Sequence, residues 1–289
     1  MPRFRFGPAG KPISMKSKDI VKAPSFLREM GLNAMEYEAV RGVNIKEEKA
    51  REFGSEALLN DVKLSLHAPY YINLASAKKS VVEASVKRLM ESVQASFWMG
   101  SYIVVFHAGY YSDAPSKREA LEWVIKNLAE VIEFRDSIGA NNVLLGIETT
   151  GKKTQIGDIS EAINISQKLK GVVPVIDWAH IYARYQGKFI VSEDDVIRIV
   201  NDLEKELGSY VLKPLHTHFS KIEYGKGGER RHVVLSEEGY GPDFKIVCRA
   251  LYSAGVEAVF ISESPVLEQD ALIMKSICRE ICGDKCVAD

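Results

Sequence analysis

The chain is predicted to fold as an α/β protein of the (β/α)8 barrel class, with residues 1–289 forming one domain. Three observations carry that prediction. Short apolar runs alternate with longer amphipathic stretches along the whole length, with no low-complexity linker or abrupt change of composition between them. About eight such runs occur, more than is usual in an open doubly wound sheet. The first turn, Gly7-Pro8-Ala9-Gly10, also lacks the G-x-G-x-x-G spacing that opens a dinucleotide-binding sheet. With 46% hydrophobic residues, a chain of this length can bury the core such a barrel needs.

The elements follow in order. Strands are expected over residues 3–6, 34–37, 63–66, 102–106, 143–147, 172–176, 211–215 and 258–262, each a short run rich in apolar and β-branched side chains. Between them, helices are expected over 80–99, 117–137, 160–169, 193–207 and 243–254. In the first of these, Val81, Val86, Leu89 and Val93 recur at the spacing that gathers side chains onto one helical face. In a closed parallel barrel the polar groups that do chemistry sit at the C-terminal ends of the strands.

Charge bounds the function from another side. The sequence has 38 basic and 39 acidic residues and a formal charge of -1, which excludes a globally basic nucleic-acid binder but not a local basic rim around an acidic pocket. No apolar run reaches transmembrane length, and Met1 to Gly10 has no signal-like apolar core, so a cytoplasmic location without membrane contact is expected. Cys278, Cys282 and Cys286 recur every four residues in a tail at about 275–289, with Cys248 upstream. A reduced, partly buried segment is one reading; a disulfide or a thiolate metal site is the alternative, although the spacing matches no cluster motif.

The strand ends carry the chemistry. The third predicted strand runs into His67 and then Ala68-Pro69-Tyr70-Tyr71-Ile72-Asn73; the fourth runs into His107, the fifth into Glu148 and the sixth into Asp177-Trp178-Ala179-His180. The seventh leads to His216-Thr217-His218, and the eighth to Glu263. Desolvating so many ionisable groups in one barrel mouth is costly unless they pair or bind cations. Imidazole mixed with carboxylate, without thiolate, suits Zn2+, and also Mn2+ or Fe2+. A set larger than four ligands implies more than one metal, and adjacent metals can activate water and neutralise both oxygens of a phosphodiester displacement.

At these residues the chain resembles endonuclease IV, the trinuclear-zinc apurinic/apyrimidinic endonucleases of the xylose-isomerase-like TIM-barrel superfamily. The resemblance runs in order from about residue 5 to 270 and is densest at His67-Ala-Pro-Tyr70-Tyr-Ile-Asn73, at Glu148-Thr-Thr-Gly151 with Gly157, and at Asp177-Trp-Ala-His180. It implies that His67 and His107 hold the most accessible zinc and that Glu148 bridges two zincs. Asp177, His216 and Glu263 would complete the second site, and His180 would join the third. It departs where an Asp-x-His pair is expected: Glu229 and His232 stand three residues apart instead, and Ser236-Glu237-Glu238-Gly239 replaces a Gly-Glu-Gly. Two or three zincs per chain are therefore expected, with Glu229 and His232 as the candidate third-site ligands. His218 points the same way as His216 by strand alternation, as an alternative ligand or a partner orienting one.

The resemblance further implies that Tyr70, Tyr71 and Asn73 press on DNA where a nucleotide is flipped out. Lys152, Lys153, Lys221, Lys226, Arg230 and Arg231 would lie in loops on the same face and supply positive potential to phosphates. The implied activity is hydrolysis of double-stranded DNA 5′ to an abasic site, in base excision repair, by a monomeric enzyme whose nucleophile is water and whose Glu148 holds a metal pair. The alternatives are a sugar isomerase or epimerase with a single divalent metal, and a barrel that binds damaged DNA without cutting it.

Overall fold

A computed structural model describes residues 3–288 of the protein. Eight strands make one parallel sheet: β1 (Phe4–Pro8), β2 (Ala34–Glu38), β3 (Lys63–His67), β4 (Ile103–Phe106), β5 (Leu144–Glu148), β6 (Val172–Asp177), β7 (Leu215–Phe219) and β10 (Ala258–Ser262). They are joined in the order β1-β10-β7-β6-β5-β4-β3-β2. Between β7 and β10 the chain adds an antiparallel hairpin, β8 (Lys221–Gly225) and β9 (Gly228–Val233). The outer helices are α1 (Ala23–Glu29), α2 (Glu47–Leu59), α3 (Lys79–Met99), α4 (Lys117–Ser137), α5 (Ile159–Lys168), α6 (Trp178–Arg184), α7 (Glu193–Leu207), α8 (Phe244–Ser253) and α9 (Glu268–Cys282). This is the TIM-barrel fold.

Local sequence explains where the helices begin and which face they bury. Ser116 caps α4 by accepting from the Glu119 amide, and Ala120, Val124, Leu128 and Val131 then face the sheet at three- and four-residue steps. Ser192 and Asp195 form a reciprocal capping box at α7, which buries Val196, Ile199, Val200 and Leu203. The main core lies between sheet and helices, where Phe4, Phe6 and Phe260 are fully buried. Phe244 on α8 packs edge-on to Phe260 at 5.1 Å and to Phe219 at 4.9 Å.

The seventh strand differs from expectation. Val211 and Leu212 belong to a buried 3-10 turn over Ser209–Leu212, and the strand starts only at Leu215, whose amide donates to Glu257 O at 2.7 Å. Pro214 has no N–H to give a ladder, so the pairing begins one residue beyond it. The strand therefore runs four residues further than predicted and carries both His216 and His218 inside it.

The barrel closes between β1 and β2, where a bridge joins Ala9 to Glu36 and the Gly10 amide donates to Glu36 O at 2.9 Å. Gly7 makes that closure sterically feasible: a Cβ there would lie 1.8 Å from the Ala34 carbonyl oxygen. Gly7→Ala is expected to destabilise the fold by about 3 kcal/mol, since the clash is with backbone that cannot rotate away. Denaturant melting measures this, and an unshifted midpoint would show that the seam has slack.

The cysteine tail resolves into one bond and one contact. Cys278 and Cys286 form a disulfide, while Cys248 and Cys282 are unbonded thiols in hydrogen-bond contact across α8 and α9. The reduced reading of the tail is thus corrected: bonding of one pair leaves no four-thiolate set. Beyond it the tail docks on β1, with Ala288 N donating to Phe4 O and Asn33 Nδ2 donating to Ala288 O. No helix among the described residues is long and apolar enough to cross a membrane.

Candidate metal centre

All six histidines lie in the barrel, and five of them converge at the C-terminal end of the sheet. His67 ends β3, Glu148 ends β5 and Asp177 ends β6, while His107 follows β4 and Glu263 follows β10 by one residue each. The parallel register brings these ends to a common level, as the fold requires. His180 reaches the same level from α6, whose N-cap is Asp177: its Oδ1 accepts from the His180 amide at 2.7 Å.

Glu148 sits at the centre. His67 Nε2 and His107 Nε2 approach its Oε2 at 3.0 and 2.9 Å, and His180 Nδ1 and His218 Nδ1 approach its Oε1 at 3.1 and 3.4 Å. Among the described residues the ligand atoms fall into four adjoining groups: Glu36, His216 and His218, deeper in the barrel; His67, His107 and Glu148; Glu148, Asp177, His218 and Glu263; His180, His232 and Glu263. Glu229 Oε2 adds to the last group at 3.0 Å from His180 Nε2. Glu148 and Glu263 are each shared between two groups.

The predicted third-site segment is a hairpin, not a loop. Gly225 pairs with Gly228, so β8 and β9 turn tightly and hold Glu229 and His232 on one strand. The hairpin is clamped to the loop after β5, where Lys153 N donates to Gly227 O and Glu229 N to Gly151 O. Ser220 Oγ lies 2.6 Å from His232 Nδ1, which leaves Nε2 facing Glu263 at 3.7 Å.

His216 and His218 exchange places relative to expectation. Both face inward, but β7 pairs with β6 so that His218 stands opposite Asp177. His216 is two residues deeper, about 7 Å along the strand, too low to reach the mouth. It bonds instead to Glu36 Oε2 through Nε2 at 3.0 Å, with Tyr102 Oη 2.5 Å from its Nδ1. The second group is therefore Glu148, Asp177, His218 and Glu263. Glu36 and Glu38, on β2, were missed by sequence reasoning. The alternation Glu36-Tyr37-Glu38 within an apolar strand was the available signal.

Burial dominates the electrostatics, and the outcome depends on each group's neighbours. Burial alone would raise Glu148, but His107 and His218 hold it well below the usual carboxylate range. Asp177 goes the other way: burial, with Glu263 and Glu148 nearby, pushes it well above that range despite His180. His67 is disfavoured as a cation by burial, yet the hydrogen bond it donates to Glu148 and the charge of Glu38 lift it to about 10.

The donor set fits divalent cations. Glu148 Oε1, Asp177 Oδ2, His107 Nε2 and His218 Nδ1 are buried without a hydrogen-bond partner among the described residues. His107 Nε2 lies 2.9 Å from Glu148 Oε2 and His218 Nδ1 3.2 Å from Glu263 Oε1, while Glu148 Oε1 and Asp177 Oδ2 lie 3.1 and 3.3 Å from His180 Nδ1. Close approach at angles that make no hydrogen bond is how ligands of one centre stand beside each other. The remaining ring nitrogens are tied back: His67 Nδ1 donates to Ala68 O at 2.7 Å and His180 Nδ1 to Thr149 O at 3.0 Å. Such bonds fix the ring and leave the other nitrogen as the ligand.

A cavity of about 230 Å³ opens over the centre, lined by His67, Tyr70, His107, Tyr110, Lys152, Gln155, His180, Glu229, His232 and Glu263. A larger one of about 620 Å³ lies at the opposite end of the barrel, among Arg5, Lys63 and Tyr102, away from this chemistry. Tyr70 and Tyr71 are exposed at the rim, at 50% and 64%. Asn73, predicted to meet DNA, is turned inward: its Oδ1 accepts from the Ala75 and Tyr110 amides, tying two loops together. Lys221 likewise is drawn to the Glu237 carbonyl at 2.7 Å. Arg230 and Arg231 sit on strand β9, exposed, and share Glu223 at 3.4 and 2.8 Å. Lys152 is 3.7 Å from Glu229.

Against known proteins, residues 24–277 match the family model described as xylose isomerase-like TIM barrel. An uncharacterized protein of Methanocaldococcus jannaschii is 38% identical over 96% of this chain and 97% of its own length. A probable endonuclease 4 of Aquifex aeolicus is 29% identical over 77% of this chain and 78% of its own. Among solved structures, endonuclease IV from Thermus thermophilus superposes with a TM-score of 0.72 at 18% identity, covering 97% of this chain and 99% of that one. A D-tagatose 3-epimerase-like protein superposes as well, with a TM-score of 0.71 at 19% identity over 96% and 97%. Likeness at those identities carries the fold and leaves the reaction to the site.

Proposed function

We propose, for a chain that belongs to the xylose isomerase-like TIM-barrel family, that it is a divalent-metal-dependent phosphodiesterase cutting DNA 5′ to an abasic site. The observation that carries the reading is the set of adjoining ligand groups sharing Glu148 and Glu263. A sugar isomerase or epimerase of this fold would need one such group. Two or three cations side by side suit a reaction in which attacking and leaving oxygens both carry negative charge.

His67, His107 and Glu148 would hold one cation, and Glu148, Asp177, His218 and Glu263 a second. His180 and His232, with Glu229 and Glu263, would hold a third. When bound, such cations supply Lewis acidity to phosphoryl oxygens and make water a nucleophile near neutral pH. The protein's own part is placement. Glu148 fixes the spacing of the groups, the hairpin clamp sets Glu229 and His232, and Tyr70 and Tyr110 wall the approach. The cavity of about 230 Å³ over the centre adjoins another of about 250 Å³, with which it shares Tyr70, His232 and Glu263 as walls.

The decisive test is metal content per chain by elemental analysis, alongside nicking of an abasic duplex without added magnesium. Two or three zincs with nicking support the reading. One metal with epimerisation of a keto sugar would replace it, and retention of abasic duplex without nicking would make the protein a damage binder. Arg230 tests the rim: Arg230→Ala is expected to weaken duplex binding uniformly across sequences and to lower the salt slope by about one. Titrations at several salt concentrations read that slope.

A further inference from the structure

We propose that Glu36 is a positioning residue, held by His216 and Tyr102, that fixes His218 with its Nδ1 toward the metal centre. The inference rests on the metal-centre reading of the barrel mouth. Glu36 lies on β2, inside the barrel and fully buried. Its Oε2 accepts from His216 Nε2 at 3.0 Å, and its Oε1 lies 2.9 Å from His218 Nε2.

Each link constrains the next. The Glu36 carboxylate can only accept, so the proton of a neutral His216 resides on Nε2, directed at Glu36, and Nδ1 is left to accept from Tyr102 Oη, 2.5 Å away. Both ring nitrogens of His216 are thereby occupied, and its task is to hold the carboxylate. The second oxygen of Glu36 has no hydrogen-bond partner among the described residues and faces only His218 Nε2 within ion-pair distance. His218 Nε2 has no hydrogen-bond partner either, and a proton on it, turned toward Glu36 by a slight rotation of the ring, would pair the two atoms. It leaves the Nδ1 lone pair free, 3.2 Å from Glu263 Oε1 and 3.4 Å from Glu148 Oε1, where the second group of ligand atoms converges. A carboxylate behind a ligating imidazole fixes its tautomer and raises its basicity, and losing such a partner typically costs 10–100-fold in metal affinity.

Glu36, His216 and His218 also bring ligand atoms close enough to hold a cation, but a metal-ligating role for Glu36 fits less well. One of its oxygens is already spent on His216, and His216 has no free nitrogen to offer. The sequence Glu36, His216, Tyr102 also lies below the mouth, where His218 alone spans both levels.

The test is zinc affinity by chelator competition, together with the visible spectrum of the Co2+-substituted protein. Glu36→Gln keeps the shape but can offer His218 Nε2 a donor, which moves the ring proton to Nδ1. Zinc affinity is expected to fall 10–100-fold at one site, with a changed Co2+ spectrum. Glu268→Gln is the control for a merely structural buried carboxylate, since Glu268 accepts from the Ile13 and Ser14 amides. It should lower the melting temperature and leave affinity and spectrum unchanged. If Glu36→Gln fails to fold, Tyr102→Phe decides, with a smaller loss of affinity expected in the same direction. Wild-type affinity and spectrum in the folded Glu36→Gln protein, or failing that in Tyr102→Phe, overturn the proposal. Because the readout is metal binding, a wild-type protein that never nicks DNA would remove the phosphodiesterase reading and leave this one standing.

Discussion

Glu148→Gln is expected to abolish nicking of abasic duplex, by a factor of at least about 10³, while leaving the barrel folded. The size follows from position. Four histidines approach this one carboxylate within 3.4 Å, two on each oxygen. An amide has one acceptor oxygen and one donor nitrogen, so it cannot serve ligand atoms on both sides, and two groups lose their common member at once. The fold should survive because Glu148 makes no contact that the surrounding strands depend on for pairing: β5 remains laddered to β4 and β6 through backbone bonds. Metal analysis should show at least one cation lost per chain, and thermal melting a folded protein. Undiminished nicking by the folded variant would falsify the role given to Glu148.

Stripping the metals should cost both activity and stability, and the stability loss should grow with pH. Glu36, Glu38, Glu148, Asp177, Glu229 and Glu263 crowd the inner wall and mouth, and buried carboxylates without countercharge oppose folding. A cation present at about 1,000 times its Kd stabilises by about 4 kcal/mol, so a chelated sample should melt several degrees lower. In the stripped protein, protons take over part of the balancing. Burial opposes charge on His67, but Glu148 and Glu38 raise it to about 10, above its unfolded value near 6.5. That contribution is complete below pH about 6.5 and is lost as pH rises through about 10. Melting of stripped and reloaded samples between pH 6 and 9 should therefore diverge as pH rises. Parallel curves, or none of the activity returning with zinc, would count against a resident metal centre.

Much of the site was readable in one dimension because a parallel barrel turns strand ends into a ring. His67, Glu148 and Asp177 each close an apolar run, and the structure finds each at the last residue of its strand. Helices with strong caps were equally plain: the predicted bounds 117–137 and 193–207 agree with α4 and α7, where Ser116 and Ser192 mark the starts. Less could be read where the deciding partner is distant in sequence. Asn73 and Lys221 have the composition of rim residues, yet the loop after β4 and the Glu237 carbonyl claim them.

What the sequence determined by itself is the class of fold and the chemical kind of site, since both follow from local patterns: apolar periodicity for the strands and helices, and imidazole and carboxylate at the strand ends. Tertiary structure alone decided which histidine of β7 stands at the mouth, because period-two alternation gives His216 and His218 the same direction and only the register with β6 gives their height. It also decided that Glu229 and His232 meet His180 and Glu263, through a hairpin clamped to Gly151. It placed Glu36, 180 residues from His216 in sequence, against both histidines of β7. Alternation is a property of a single strand. Height and convergence belong to the closed barrel, and no strand carries them alone.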